Sequence, residues 1–233
     1  MARRKAIKLQ QPPLQTEERQ EHRNRIKAIT PGQAELIRAI QDNELVLCDG
    51  PAGSGKTMVS IGVAVDYLVA GKFKKIIITR PTIECGNELG FLPGNQDEKL
   101  YNYLIPAFDC LSKFLSKSEI AEAKNSGKLE TAPLQFMRGR TFDDTIVIAD
   151  EMQNSSFDQM KMLITRLGKN CKIVVSGDIM QSDLKSREYG ALEDFMKWLS
   201  DLAGIGIVHL KDTDIVRNPL IGKILKRIEE FDD

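Results

Sequence analysis

Apolar residues in this chain fall into short blocks separated by stretches with helical spacing, and that alternation sets the fold class. The runs at 45–48, 73–79, 145–149, 171–175 and 205–210 have the length and the Val/Ile/Leu content of buried strands. Between them, Leu36, Ile37 and Ile40 share one helical face over 32–41, and a mostly apolar helix over 58–70 stops at Gly71. Leu100, Leu104, Phe108, Leu111 and Leu115 predict a helix over 97–115 that Pro106 bends. Ser155 with Asp158 three residues on marks another helix start, and Gly168 its stop. Further helices are predicted over 191–199 and after Asn218-Pro219, where Leu220, Ile221, Ile224, Leu225 and Ile228 form the apolar side. Residues 82–96, with three glycines and Pro93, read as an irregular loop, and 116–130 as a polar, mobile stretch. Trp198 and the Met160/Met162 pair read as packing residues. Strands alternating with helices predict an α/β fold, a mainly parallel sheet sandwiched by helices. Residues 1–29 read as a basic flexible arm and 30–233 as one domain with an inserted loop and helical region at about 82–135.

Composition narrows the class. An apolar fraction of 42% and a charged fraction of 28% are those of a globular protein. No apolar run reaches membrane-spanning length, and the start Met1-Ala2-Arg3-Arg4-Lys5 leads into no secretory core, so no membrane partner and a cytoplasmic location are expected. Cys48, Cys85, Cys110 and Cys171 are scattered and read as reduced thiols, and two histidines give little basis for zinc. The formal net charge is zero, against a protein that coats nucleic acid. Its placement is uneven: residues 1–30 hold eight Lys/Arg and three Glu, a net of +5, leaving −5 for the rest. That arm is either a tail touching phosphate backbones or a solvated terminus.

The chemistry starts at Gly50-Pro51-Ala52-Gly53-Ser54-Gly55-Lys56-Thr57. This GxxxxGK[ST] loop follows a predicted strand and opens a predicted helix, the context in which such a loop holds a triphosphate. Its backbone N–H groups converge on phosphate at the positive end of the helix, Lys56 reaches the β- and γ-phosphates, and Thr57 ligates magnesium.

In a parallel sheet the remaining groups come from the carboxyl ends of other strands. Asp150 and Glu151 end the run at 145–149; the first suits a magnesium contact, the second a base that orients water. Ser176-Gly177-Asp178 ends the next strand, and the Gln181 amide is a candidate contact to the γ-phosphate or the attacking water. Arg80 ends the strand at 73–79, outside the nucleotide site proper, as either a structural arginine or a contact to a polymer backbone. Gln33 precedes the loop and can read an adenine edge with one donor and one acceptor; with no Asn-Lys-x-Asp motif present, ATP is favoured over GTP.

Taken with Ile78-Thr79-Arg80-Pro81, Gly90-Phe91-Leu92-Pro93-Gly94, Met137-Arg138-Gly139-Arg140-Thr141, residues 148–153 and Gln159-Met160-Lys161-Met162, these motifs resemble the PhoH family from about Thr30 to about Ile228. The resemblance implies a RecA-like P-loop ATPase akin to the first motor domain of superfamily 1 helicases, with ATP and Mg2+ as ligands. It also implies a homo-hexameric ring and activity on RNA or DNA. The sequence is expected to lack the additional nucleic-acid and ribonuclease domains of longer members, and it resembles the short versions carried by bacteriophages, which implies the host cytoplasm. Gln33, Lys56, Thr57, Asp150, Glu151 and Gln181 match helicase-like motif positions.

Phosphoryl transfer to water commonly uses an arginine finger. With no second motor domain in the sequence, that arginine is expected in trans, from Arg138, Arg140, Arg166 or Arg217, with Arg217 slightly favoured and Arg138 and Arg140 open between a neighbour's phosphates and nucleic acid. A P-loop kinase and a nucleotide-gated scaffold without turnover are the competing classes.

Overall fold

The computed structural model describes residues 25–81, 105–181, 191–216 and 227. The arm up to residue 24, the loop expected over 82–96, the first part of the helix expected over 97–115 and, residue 227 apart, the helix expected after Pro219 lie outside the described residues.

Six parallel strands form one sheet: β1 (Leu45–Asp49), β2 (Lys75–Arg80), β3 (Leu129–Pro133), β4 (Thr145–Ala149), β5 (Cys171–Gly177) and β6 (Ile205–His209). Their spatial order is β3-β2-β4-β5-β1-β6. Among the described residues the helices are α1 (Pro31–Asp42), α2 (Lys56–Val69), α3 (Lys117–Asn125), α4 (Phe157–Ile164) and α5 (Ala191–Leu199), with a further helical stretch at 105–111. Side chains alternate across the sheet as a two-residue period requires. Val46, Ile76, Ile78, Ile146, Ile148 and Val174 pack on one face with Leu36 and Ile40 of α1, much of α2, and Leu111. Leu47, Ile77, Val147, Ile173 and Val175 pack on the other with Met160 and Leu163 of α4 and Leu192, Phe195 and Met196 of α5. Continuous apolar runs in the sequence therefore reflect strands covered on both sides.

Helix starts follow from local hydrogen bonding. Thr30 caps α1, its hydroxyl accepting from the Gln33 N–H at 3.2 Å, with Pro31 in the first turn. The α4 start falls one residue beyond the expected one. Ser156 forms a reciprocal box with Gln159 (3.3 and 3.0 Å), whereas the buried Ser155 hydroxyl donates to the Met152 carbonyl at 2.6 Å and closes the preceding 3₁₀ turn.

The stretch at 116–130 departs from expectation. It carries α3, capped by a Ser116–Glu119 box, and the start of β3 at the sheet edge. Neither shows an apolar pattern, because α3 buries no residue and β3 is an edge strand held partly by charge. Glu130 of β3 meets Lys75 of β2 at 2.5 Å and Arg140 at 2.6 Å. Trp198 is 59% exposed, yet it stays in contact with the Phe157 and Phe195 rings at 5.8 and 6.0 Å.

Candidate active site

Parallel strands bring the ends of β1, β2, β4 and β5 to one edge, and the candidate residues collect there. The loop after β1 enters α2 through Gly55, at φ 91°, a left-handed conformation that a side chain strains. A Cβ at that position would also lie 2.7 Å from Gln33 Nε2. The Gln33 amide braces the loop, donating to the Ser54 carbonyl at 3.0 Å while its oxygen accepts from the Ile29 N–H at 3.1 Å. Among the described residues the other Nε2 hydrogen meets no acceptor. Lys56 Nζ donates to the carbonyls of Gly50 and Pro51.

Two motifs 93 residues apart meet directly. The Thr57 hydroxyl lies 2.9 and 3.0 Å from the two carboxylate oxygens of Asp150, which is 1% exposed. Asp150 Oδ1 also accepts from the Ser176 hydroxyl at 2.8 Å, and Oδ2 from Arg80 at 2.5 Å. Glu151 follows with φ 57°, left-handed and unusual for a residue other than glycine. The turn carries its half-exposed carboxylate out of the core, where Oε2 accepts from Gln153 Nε2 at 2.7 Å. The same Gln153 side chain accepts from the Asp178 N–H at 3.1 Å, and Asp178 Oδ2 in turn accepts from the Ala52 N–H at 3.1 Å. A hydrogen-bonded path thus runs from Glu151 through the end of β5 to the phosphate-type loop.

The turn after β6 completes the cradle. Asp214 is buried and accepts from the N–H groups of Gly32 and Lys211 at 3.0 and 2.9 Å, and the Val216 N–H donates to the Gly53 carbonyl at 3.0 Å. Hydrogen bonding from the Lys211 backbone and from Thr30 holds the Asp214 carboxyl below its ordinary range. On β1, burial pushes the Cys48 thiol up to about 12, which keeps it protonated and inert beside the loop.

Arg80, read from the sequence as a structural arginine or a polymer contact, meets the carboxylates that follow β4. Its buried guanidinium reaches across from β2 to Asp150 and lies 3.9 Å from Glu151. Gln181 ends an exposed 3₁₀ turn after β5. Arg140 is clasped by Glu130 through two hydrogen bonds of 2.6 and 2.9 Å, and Arg166 donates to the carbonyls of Arg140 and Met162 at 3.1 and 3.2 Å. Arg138 is exposed, and Arg217 lies outside the described residues. Sequence reasoning gave no role to Ser176, Gln153, Asp178 or Asp214. The first three were detectable only as polar residues at or just beyond the ends of strands.

Among the described residues no group of three or more His, Cys, Asp or Glu gathers to hold a metal by itself. Magnesium at a phosphate site takes one or two protein oxygens and fills the rest with phosphate and water, and the Thr57–Asp150 pair has the donor chemistry for that.

A family model described as PhoH-like protein matches residues 25–229. The chain belongs to the PhoH-like family. It is 43% identical over 205 residues to the PhoH-like protein of Bacillus subtilis and 39% identical over 208 residues to that of Synechocystis. These matches cover 88% and 89% of this chain but only 64% and 63% of those relatives. In fold, the PhoH-like chain is similar to the large terminase of a thermophilic bacteriophage solved in complex with ADP, with a TM-score of 0.54 and 13% identity over 85% of this chain and 49% of that one. Among the described residues no helix is long and apolar enough to cross a membrane.

Proposed function

We propose that this chain binds ATP with magnesium and hydrolyses it to ADP and phosphate. The contact that carries the reading is Thr57 of the phosphate loop against Asp150 at the end of β4, with Glu151 next in line. In this reading the backbone N–H groups from Ala52 to Thr57 and the Lys56 ammonium take the phosphates. Thr57 and Asp150 hold magnesium, which when bound neutralises charge on the β- and γ-phosphate oxygens. Glu151 orients a water and takes its proton as the oxygen bonds to the γ-phosphorus and the bond to the ADP oxygen breaks. Its outward left-handed turn and its bond to Gln153 support that role. Gln181 is assigned to the γ-phosphate, and the uncommitted hydrogen of the Gln33 amide to adenine.

The same reading makes the chain a helicase-like or translocating motor of superfamily 1 character, acting in the cytoplasm on RNA or single-stranded DNA. It works as a homo-hexameric ring in which Arg217 or Arg138 completes a neighbour's site. The clasp on Arg140 by Glu130 weighs against that residue as the finger.

Phosphate release and nucleotide binding measured on Glu151→Gln test the chemistry. Binding is expected to persist while turnover drops by about two to four orders of magnitude. Turnover at the wild-type rate removes Glu151 from the mechanism, and a wild type that binds nucleotide without releasing phosphate turns the reading to a nucleotide-gated scaffold.

A further inference from the structure

Asp150 has a fully committed carboxylate. Oδ1 accepts from Ser176 at 2.8 Å and Thr57 at 2.9 Å, and Oδ2 accepts from Arg80 at 2.5 Å with Thr57 at 3.0 Å. Thr57 and Ser176 are neutral, and a hydroxyl that faces a carboxylate keeps lone pairs to offer a cation. Arg80 differs in kind. Its side chain is 9% exposed, that of Asp150 2%, so a full positive charge already sits in a dry corner where a divalent cation would arrive. The same guanidinium nitrogen also faces Glu151, whose Oε1 lies 3.9 Å away on a side chain that is 46% exposed.

We propose that Arg80 is a resident cation of the metal corner, holding Asp150 Oδ2 until a divalent cation bound between Thr57 and Asp150 displaces it toward Glu151. The inference rests on the nucleotide reading above and adds a competitor to it. Thr57 lies beside both carboxylate oxygens, so a metal there would stand within a few ångströms of the guanidinium on one buried carboxylate, and their repulsion in that dry corner sets metal binding against the Arg80–Asp150 pair. The displaced guanidinium has a carboxylate within reach, which leaves no buried charge unpaired.

The test is the Mg2+ concentration that half-saturates binding of a fluorescent ADP, in wild type, Arg80→Gln and Arg80→Lys. Competition predicts that Arg80→Gln needs about tenfold less Mg2+, with Arg80→Lys between it and wild type, since one unit of opposing charge is removed or made mobile. A supporting role for Arg80 predicts the opposite sign, so an unchanged or raised Mg2+ requirement in folded Arg80→Gln overturns the proposal. Should that variant fail to fold, the wild-type Arg80 guanidinium resonance, followed by nitrogen NMR and assigned with Arg80→Lys, decides. It is expected to shift with Mg2+-ADP and not with ADP in chelator, and a resonance indifferent to Mg2+ overturns the exchange. Nucleotide binding that needs no Mg2+ overturns this proposal alone, whereas wild type that binds no nucleotide overturns it together with the reading beneath it.

Discussion

Glu151 and Gln153 show how a single side chain is aimed. A carboxylate two residues past a buried strand could continue the pleat, but φ 57° at Glu151 turns the chain out, and Gln153 then holds the carboxylate from one side while gripping the Asp178 N–H with its own oxygen. Gln153→Leu removes both bonds and leaves a buried donor without its partner. It is expected to lower kcat about tenfold with nucleotide affinity little changed, the signature of a positioning residue. Equal loss in kcat and affinity would make Gln153 merely structural. Gly177→Ala attacks the same network from β5, since its Cβ would lie 2.8 Å from Gln153 Oε1 and 2.9 Å from the Gln153 backbone nitrogen. A stability loss of about 1–3 kcal/mol should accompany the same kcat defect. Glu151 was legible from its place after an apolar run. Gln153 was not, because its partner Asp178 is 25 residues away and nothing in a local pattern marks a bridge of that kind.

At the scale of elements, the central strands announce themselves and the edge does not. β1, β4 and β5 are buried on both faces, so their sequences are continuous apolar runs. β3 instead relies on Glu130 between Lys75 and Arg140. Hydrogen bonding from Arg140, and then from Lys75, lowers the Glu130 carboxyl from 4.5 to about 2. A carboxyl depressed on folding stabilises above its unfolded value and loses that contribution as pH falls through the folded one. The β3 clasp should therefore weaken between about pH 4.5 and 2, and Glu130→Gln should flatten that limb of an acid-unfolding curve at a neutral-pH cost of about 1 kcal/mol after solvent screening. Identical acid limbs in the two proteins would show that the clasp contributes nothing. α3 was hidden for a related reason: with no buried face, its Ser116–Glu119 box is its main local signal.

For the molecule as a whole, the site is a convergence. α1, β1, β2, β4, β5 and the turn at 211–216 each add a group to one edge of the sheet, while Arg140 and Arg166 make hydrogen bonds elsewhere within the chain. A site needing a neighbour's arginine gains specific activity as subunits associate. Phosphate release per chain is expected to rise severalfold with protein concentration and again with single-stranded RNA or DNA. A rate per chain independent of concentration would remove the ring from the mechanism, and indifference to both polymers would remove nucleic acid as partner. Local sequence was enough for the parallel α/β class, the phosphate loop and the carboxylate pair, because strand burial and loop geometry impose residue types at fixed short spacing. Long-range packing alone put Arg80 against Asp150, paired Arg140 with an edge strand, linked Gln153 to the loop through Asp178, and set Asp214 under the start of α1. Those contacts join residues from 10 to 182 positions apart, and no local period records a hydrogen bond between the ends of different strands.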